Sequence, residues 1–553
     1  MVKEKIAICD KKITLRELYR VYTRGAELVL DAEVLEKTRK SRLLLEDLER
    51  RGEAIYGVTT GFGAQGDLHI PPQWRSALQE GVIEYHGAGV GPVLDENMSR
   101  AVFFTRIVSL CRGVSGIRPE LLEHMAAVFN AGIAPVIPSR GSVGASGDLT
   151  PLSYLAAVLA GGRRVWYRGE VKNTREVFEE RGIQPWKWEM KEGLALMNGT
   201  AVMTALAGVY WCQTESLAAW ADACTALGAA ALNTPREPFE DWVHRQKHHP
   251  GPRTSGEIIR RRGGLDPTPI SDPARPSHRI ADTPSDPGFR ESMRRRSSNI
   301  QPRYSLRCAP QMNGVLWDTL QAIEPWIEDE LNSANDNPLF DTLDRRVYHT
   351  GNFFGGHISA ACDYLRIALP TTTTLMDRQV QQLLDSRGIL PDNLVPPGEE
   401  GVGGGDEDPW NGQTRQGPRF GLKALGITTS ALAAEAQHTA GPVSVLTRPT
   451  ESQNQDVVSM GTVSALKLGE ALDLAYLCAA HGLAVAGQAW ELRFGSWLAV
   501  SGLGSDSGTG PGSAPALVDW LRERVPFVEG NKELGMSLEC LTADMRIRDS
   551  RDI

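Results

Sequence analysis

The chain has 553 residues, 41% of them hydrophobic and 23% charged. That length can bury large cores, and the composition is that of an ordinary folded globular protein, not of a disordered one. Its formal net charge of −9 argues against a general nucleic-acid-binding role, because such proteins carry a basic surplus that neutralises phosphate. The cysteines are dispersed without any C-x-x-C pair, the pattern of reduced thiols, which argues against a cysteine zinc or redox site.

In chain order, "MVKEKIAICDKKITLRELY" scatters charge through the N-terminus and contains no apolar signal core, so a cytoplasmic protein is expected. Strand-like alternation is confined to this region. From "SRLLLEDLERRGEAI" onward, apolar residues recur at helical spacing and the chain reads as mainly helix.

The stretch "GSVGASGDLTPLSYLA" sets Ser146 among glycines and alanines. It lacks the lysine that a phosphate-cradling loop requires, and Asp148 stands where a nucleophile elbow would have its second glycine. A tight glycine turn opening a helix, with Asp148 near the helix N-terminus and Pro151 in its first turn, accounts for the small residues.

Gly193 to Thr214 carries no charge over a length that could span a bilayer, but Asn198, Gly199, Thr200 and Gln213 interrupt it and no Lys/Arg cluster flanks it. A helix buried at the centre of a bundle is expected, with no membrane partner. His244 and His248 have helical metal-ligand spacing without the glutamate of such sites, and read as a polar helix end; no metal is expected. Residues 265–298, rich in Pro, Asp, Ser and Arg, read as a solvated, mobile insertion, and Pro396 to Pro418 as a second long loop. Ile427 to Ala440 and Asp456 to Arg493 supply further bundle helices.

The stretch around Ser146 resembles, together with several other blocks in matching order, the aromatic amino acid ammonia-lyase and 2,3-aminomutase family. "YGVTTGFG" resembles the segment bearing that family's catalytic base at Tyr56, and "GLALMNGT" places Asn198 at the asparagine that contacts prosthetic group and substrate. "NIQPRYSLRCAPQ" offers Gln301, Tyr304 and Arg307; "NSANDNPLF" offers Asn337; "HTGNFFGG" offers Phe353; "TESQNQDVVSMG" offers Glu451 and Gln455.

The resemblance implies a mainly α fold, a long central helical bundle of the fumarase/aspartase-like kind. A smaller N-terminal domain, residues 1–200, would carry the prosthetic-group loop, and residues 201–553 would form the bundle and C-terminal helices. It implies that Ala145-Ser146-Gly147 cyclises to a 4-methylidene-imidazol-5-one, with no external cofactor. Small residues suit that chemistry, since the amide nitrogen of Gly147 must reach the carbonyl of Ala145. It implies a homotetramer whose active sites draw on more than one subunit. The expected roles are Tyr56 as β-proton base, Arg307 as bidentate carboxylate clamp, Tyr304 and Asn198 as orienting groups, Glu451 facing the ammonium and Phe353 packing at the prosthetic ring.

The family's substrate-selecting pair maps onto Tyr85 and His86, and Lys423 onto a further side-chain-pocket position. Gln455 stands where histidine lyases have glutamate. The expected reaction is elimination of ammonia from an aromatic L-amino acid, tyrosine-like first and phenylalanine next. The 2,3-aminomutase reaction is the alternative, and a non-catalytic scaffold or polyanion binder using the arginine-rich insertion is the rival outside that class.

Overall fold

The structure is a computed structural model that describes residues 4–9, 11–263, 301–396, 413–414, 417–495 and 514–548. The insertion expected at 265–298 and most of the loop expected from Pro396 to Pro418 lie outside the described residues. The fold is mainly helical, with five small two- or three-stranded sheets among the described residues.

Contacts divide the chain into two units. The first comprises residues 1–214, 320–367 and 439–472; the second comprises 215–319, 368–438 and 473–553. The first opens with a parallel strand pair, Glu4–Ile8 against Ala26–Leu30, joined by the helix Leu15–Arg24. Thr14 and Glu17 start that helix with reciprocal side-chain-to-backbone bonds, satisfying donors that a helix end leaves free.

Four helices position the candidate site: α1 (Glu96–Leu110), α2 (Leu149–Leu159), α3 (Glu192–Met197) and α4 (Ala201–Ala231). Every residue of α1 from Ala101 to Leu110 is buried, as expected for a helix without a solvent face. The apolar run from Gly193 is likewise buried, but it is two helices and not one. Asn198 turns extended and Gly199 adopts a φ of 152°, a conformation open only to glycine, so the chain breaks before α4 begins.

Two helices, α5 (Lys423–His438) and α6 (Gly461–Phe494), match the bundle segments expected at Ile427 to Ala440 and Asp456 to Arg493. Helix α6 has the length and hydropathy of a membrane span, yet most of it is buried within the protein, which is how a core helix satisfies the same pattern.

In the second unit, Asp222 is fully buried and accepts hydrogen bonds from Ser255 Oγ (2.6 Å), Asn313 Nδ2 (2.7 Å) and Trp317 Nε1 (3.0 Å). Trp220 stacks on Trp520 with ring centroids 5.1 Å apart. The helix end expected at His244 and His248 is found at His244, in the last turn of the helix Asp241–Arg245, and is corrected for His248. The helix stops at Arg245, and His244 is buried against Gly256 while His248 is exposed beyond it.

Removing the Asp222 carboxylate would leave two buried donors and one partly buried donor without an acceptor. Asp222→Ala is therefore expected to lower unfolding stability by about 3 kcal/mol, read as a lower urea midpoint. A midpoint equal to the parent's would show that water or neighbouring groups satisfy those donors.

Candidate active site

The loop carrying Ser146 is fixed from below by Asp148. Its carboxylate is fully buried and accepts from the backbone N–H groups of Val202 and Met203, each at 2.9 Å. It also accepts from the hydroxyls of Thr462 and Ser142. Asp148 therefore caps α4, not the helix it precedes, and its charge sits at the positive end of α4. Burial pushes its carboxyl up to about 6, and these four donors pull the other way.

Above that anchor the backbone folds tightly. Gly144, Ser146 and Gly147 have φ of 76°, 51° and 78°. A Cβ on Gly147 would stand 2.2 Å from the carbonyl oxygen of Gly199, so only glycine fits there. Gly147 pairs with Gly199 in an isolated parallel bridge, and the N–H of Asp148 donates to Gly199 O at 2.7 Å. Ser146 itself is held at both ends. Its carbonyl accepts from Asn198 Nδ2 at 2.9 Å, and its hydroxyl accepts from Gln455 Nε2 at 3.0 Å. A serine in the left-handed region is a strained residue that its surroundings must maintain.

Ser146 opens onto a cavity of about 750 Å³, a size that suits a small ligand. Tyr56, Tyr85, His86, Ala145, Asn198, Asn337, Phe353, Glu451 and Gln455 also line it, so most of the residues singled out in the sequence meet here. The Tyr56 hydroxyl accepts from the N–H of Gly63 at 2.7 Å, which favours phenolate. Burial and the nearby Glu451 carboxylate nevertheless raise the Tyr56 pKa above its ordinary value. Glu451 packs directly on Gly63, where a Cβ would lie 2.2 Å from its Oε1. Asn337 Oδ1 accepts from the N–H of Thr350 at 2.6 Å, tying together the two segments that carry Asn337 and Phe353.

His86 follows the helix Arg75–Tyr85, its ring 4.4 Å from that of Tyr85. Burial pulls its imidazole down to about 4, so it is neutral at physiological pH and can accept one hydrogen bond while donating another.

Four expected residues are not among those lining the cavity. Gln301, Tyr304, Arg307 and Lys423 belong to the second unit. Tyr304 is 70% exposed, with the Arg307 guanidinium over its ring at 4.9 Å, and Gln301 and Lys423 are exposed. The cavity in turn contains residues that the sequence reading passed over. His349 accepts from the N–H of Tyr56 at 3.1 Å, and Asp67 and Asp456 add carboxylates to the wall. Among the described residues its lining includes no lysine or arginine. His349 lies only four residues before Phe353, in the same quoted block, so proximity to that block was the one signal available.

A family model described as aromatic amino acid lyase matches residues 13–503. The chain belongs to the aromatic amino acid lyase family. Over 452 residues it is 35% identical to a tyrosine 2,3-aminomutase of Myxococcus fulvus, covering 82% of each chain. It is 32% identical over 543 residues to a histidine ammonia-lyase of Myxococcus xanthus, covering 98% of this chain and 97% of that one. Among solved structures, the tyrosine aminomutase of Streptomyces globisporus superposes with a TM-score of 0.84 at 31% identity, covering 98% of this chain and 97% of that one. The phenylalanine aminomutase of Pantoea agglomerans gives 0.83 at 30%, covering all of both. As a member of this family, the protein is an enzyme of the carbon–nitrogen lyase and aminomutase class.

The depressed His86 pKa has a consequence for stability. The unfolded chain binds a proton near 6.5 that the folded one binds only near 4, so His86 withdraws stability as pH falls through that window. A His86→Gln variant of this lyase-family chain is expected to lose stability less steeply than the parent between pH 6.5 and 4, measured by urea midpoints. Parallel curves would place the His86 proton elsewhere.

Proposed function

We propose that this enzyme eliminates ammonia from an aromatic L-amino acid, with tyrosine favoured and phenylalanine next. The observation carrying the reading is the convergence of Tyr56, Ser146, Asn198, Glu451, Gln455 and His86 on one cavity.

Family members use a methylidene-imidazolone formed from an Ala-Ser-Gly triplet, and the residues here fit that group. Gly147 is pressed against Gly199, Ser146 is held in a left-handed conformation, and beside them Asn198 Oδ1 is buried with no hydrogen-bond partner among the described residues. Ala145, Ser146 and Gly147 would form it, and Asn198, whose Nδ2 reaches the Ser146 carbonyl that the ring keeps, would hold it, with Gln455 at the Ser146 hydroxyl that is lost. Such a group supplies an electrophilic exocyclic carbon that no standard side chain offers.

The chain's own side chains divide the remaining work. Tyr56, aimed by the Gly63 N–H, removes the β-proton. A phenol raised by burial and by Glu451 needs positive potential to ionise near neutrality, and the substrate's α-carboxylate needs a cation as well. Among the described residues the cavity lining offers three carboxylates, Asp67, Glu451 and Asp456, but neither lysine nor arginine. Glu451 then faces the ammonium end of the substrate. Arg307 meets both demands for positive charge when a neighbouring copy in a homotetramer brings it, with Gln301, Tyr304 and Lys423, to this cavity. Phe353 packs against the reacting segment. Neutral His86 hydrogen-bonds a phenol hydroxyl, which supports a tyrosine-like substrate, and Gln455 in place of glutamate disfavours histidine.

Amine migration is the second reading. It is favoured by the likeness to tyrosine and phenylalanine aminomutases, whose reaction shares the elimination half and differs in whether the arylacrylate is retained. Incubation with L-tyrosine, L-phenylalanine and L-histidine, followed by chromatography resolving arylacrylates from β-amino acids, separates the readings. Coumarate with stoichiometric ammonia is expected; dominant β-tyrosine establishes migration, and turnover of L-histidine alone overturns the substrate assignment.

The shared-site arrangement has its own test. Ser146→Ala and Arg307→Met are each expected to abolish turnover when expressed alone, by about a thousandfold. Co-expressed, they are expected to regain activity in mixed assemblies. An inactive mixture, or a monomer in sedimentation, would contradict it.

A further inference from the structure

Behind the Asn198–Gly199 turn lies a charge that the proposed chemistry leaves unused. Arg106 sits in the wholly buried part of α1, and its exposure is 0%. Its Nη2 donates to two backbone carbonyls, that of Ala195 and, at 2.8 Å, that of Asn198. Nε and Nη1 are buried and have no hydrogen-bond partner among the described residues. A Cβ on Gly199 would stand 2.1 Å from Nη1, so the guanidinium occupies the space that this glycine leaves open.

The charged groups around it are buried too. Asp336 and Asp148 raise the Arg106 pKa, while Lys191 is paired with Asp336 at 2.7 Å. Burial outweighs the two carboxylates and draws the guanidinium down to about 10, which leaves it protonated at neutral pH. A buried cation with two unpaired nitrogens costs stability, and an apolar side chain of similar volume would not incur that cost. The cost falls where it bears on one feature. The Asn198 carbonyl that Arg106 holds belongs to the residue whose Nδ2 reaches the Ser146 carbonyl at 2.9 Å, and the next residue, Gly199, is the one pressed on Gly147.

We propose that Arg106 is a positioning residue for ring closure at Ala145-Ser146-Gly147. It braces the Asn198–Gly199 turn from behind so that Gly147 is held in its compressed position. The inference rests on reading that triplet as the source of the prosthetic group. In the closure, the Gly147 nitrogen forms a bond to the Ala145 carbonyl carbon. The Ala145 oxygen leaves as water with the protons of the Gly147 and Ser146 nitrogens, and Ser146 loses its Oγ and Cα proton as a second water. No co-reactant is needed. Arg106 touches none of the reacting atoms and acts through the backbone it fixes.

The test compares the parent with Arg106→Lys and Arg106→Met, each checked for folding by circular dichroism and thermal midpoint. Intact mass is followed with time after a pulse of expression. Parent protein is expected to lose two waters. Arg106→Met is expected to close about tenfold or more slowly while its thermal midpoint stays level or rises, an outcome that a merely structural arginine would not give. Arg106→Lys, which keeps the charge on a shorter side chain without the planar guanidinium, is expected to fall between the two.

A parent that never loses water overturns the triplet reading and this inference with it. A cyclised parent accompanied by a folded Arg106→Met variant that closes at the parental rate overturns the role of Arg106 alone. If Arg106→Met does not fold, the rate of Arg106→Lys decides: slowed closure supports the role, and parental closure removes it.

Discussion

The close approach of Gly147 to Gly199 is the constraint on which the rest of the site depends. Asp148 secures it from one side by tying the loop to the first N–H groups of α4, and the break at Asn198–Gly199 secures it from the other. Neither half works without the other. A continuous helix through residues 198–200 would remove the carbonyl that Asp148 N–H uses; a side chain at Gly147 would force the bridge apart, and one at Gly199 would displace the Arg106 guanidinium behind it. Ser146 is thereby kept in a left-handed conformation with both its hydroxyl and its carbonyl hydrogen-bonded, a geometry that costs energy and that the surrounding packing supplies.

Electrostatics shape the cavity around that constraint. Among the described residues its wall is acidic, with Asp67, Glu451 and Asp456 present and no lysine or arginine, and its two histidines are both drawn below their ordinary pKa by burial. Such a surface welcomes an ammonium group and offers nothing to a carboxylate. Burial raises the Tyr56 phenol and the Glu451 carboxylate adds to it, although Gly63 donates a hydrogen bond to it. The chemistry proposed for the site therefore requires a cation from outside this wall, and Arg307 is the side chain whose motif and guanidinium geometry suit it.

Much of this was legible in the amino-acid order. The glycines around Ser146 announced a tight turn, and the quoted blocks named most of the cavity's residues because family resemblance reports positions that are distant in sequence and adjacent in space. Composition and periodicity were enough to show a mainly helical fold, since apolar residues recur at helical spacing along much of the chain. They were not enough to show that the run from Gly193 breaks at Asn198, because an NGT inside an apolar stretch looks the same whether the backbone bends or continues. Asp148 was read as near the start of its own helix, and a capping residue that serves a helix fifty residues onward leaves no local pattern. His349 and Arg106 were passed over for a related reason. A histidine in a loop and an arginine inside an apolar helix acquire meaning only from partners that the fold, not the sequence, brings to them.

The central claim is that the compressed Ala145-Ser146-Gly147 segment is a ring precursor and not merely a tight turn. The measurement that tests it most directly is the intact mass of the purified, catalytically active protein, with the modification located by peptide fragmentation. The account predicts a mass lower by two waters, localised to this triplet. An unmodified mass in protein that still turns over an aromatic amino acid would contradict it.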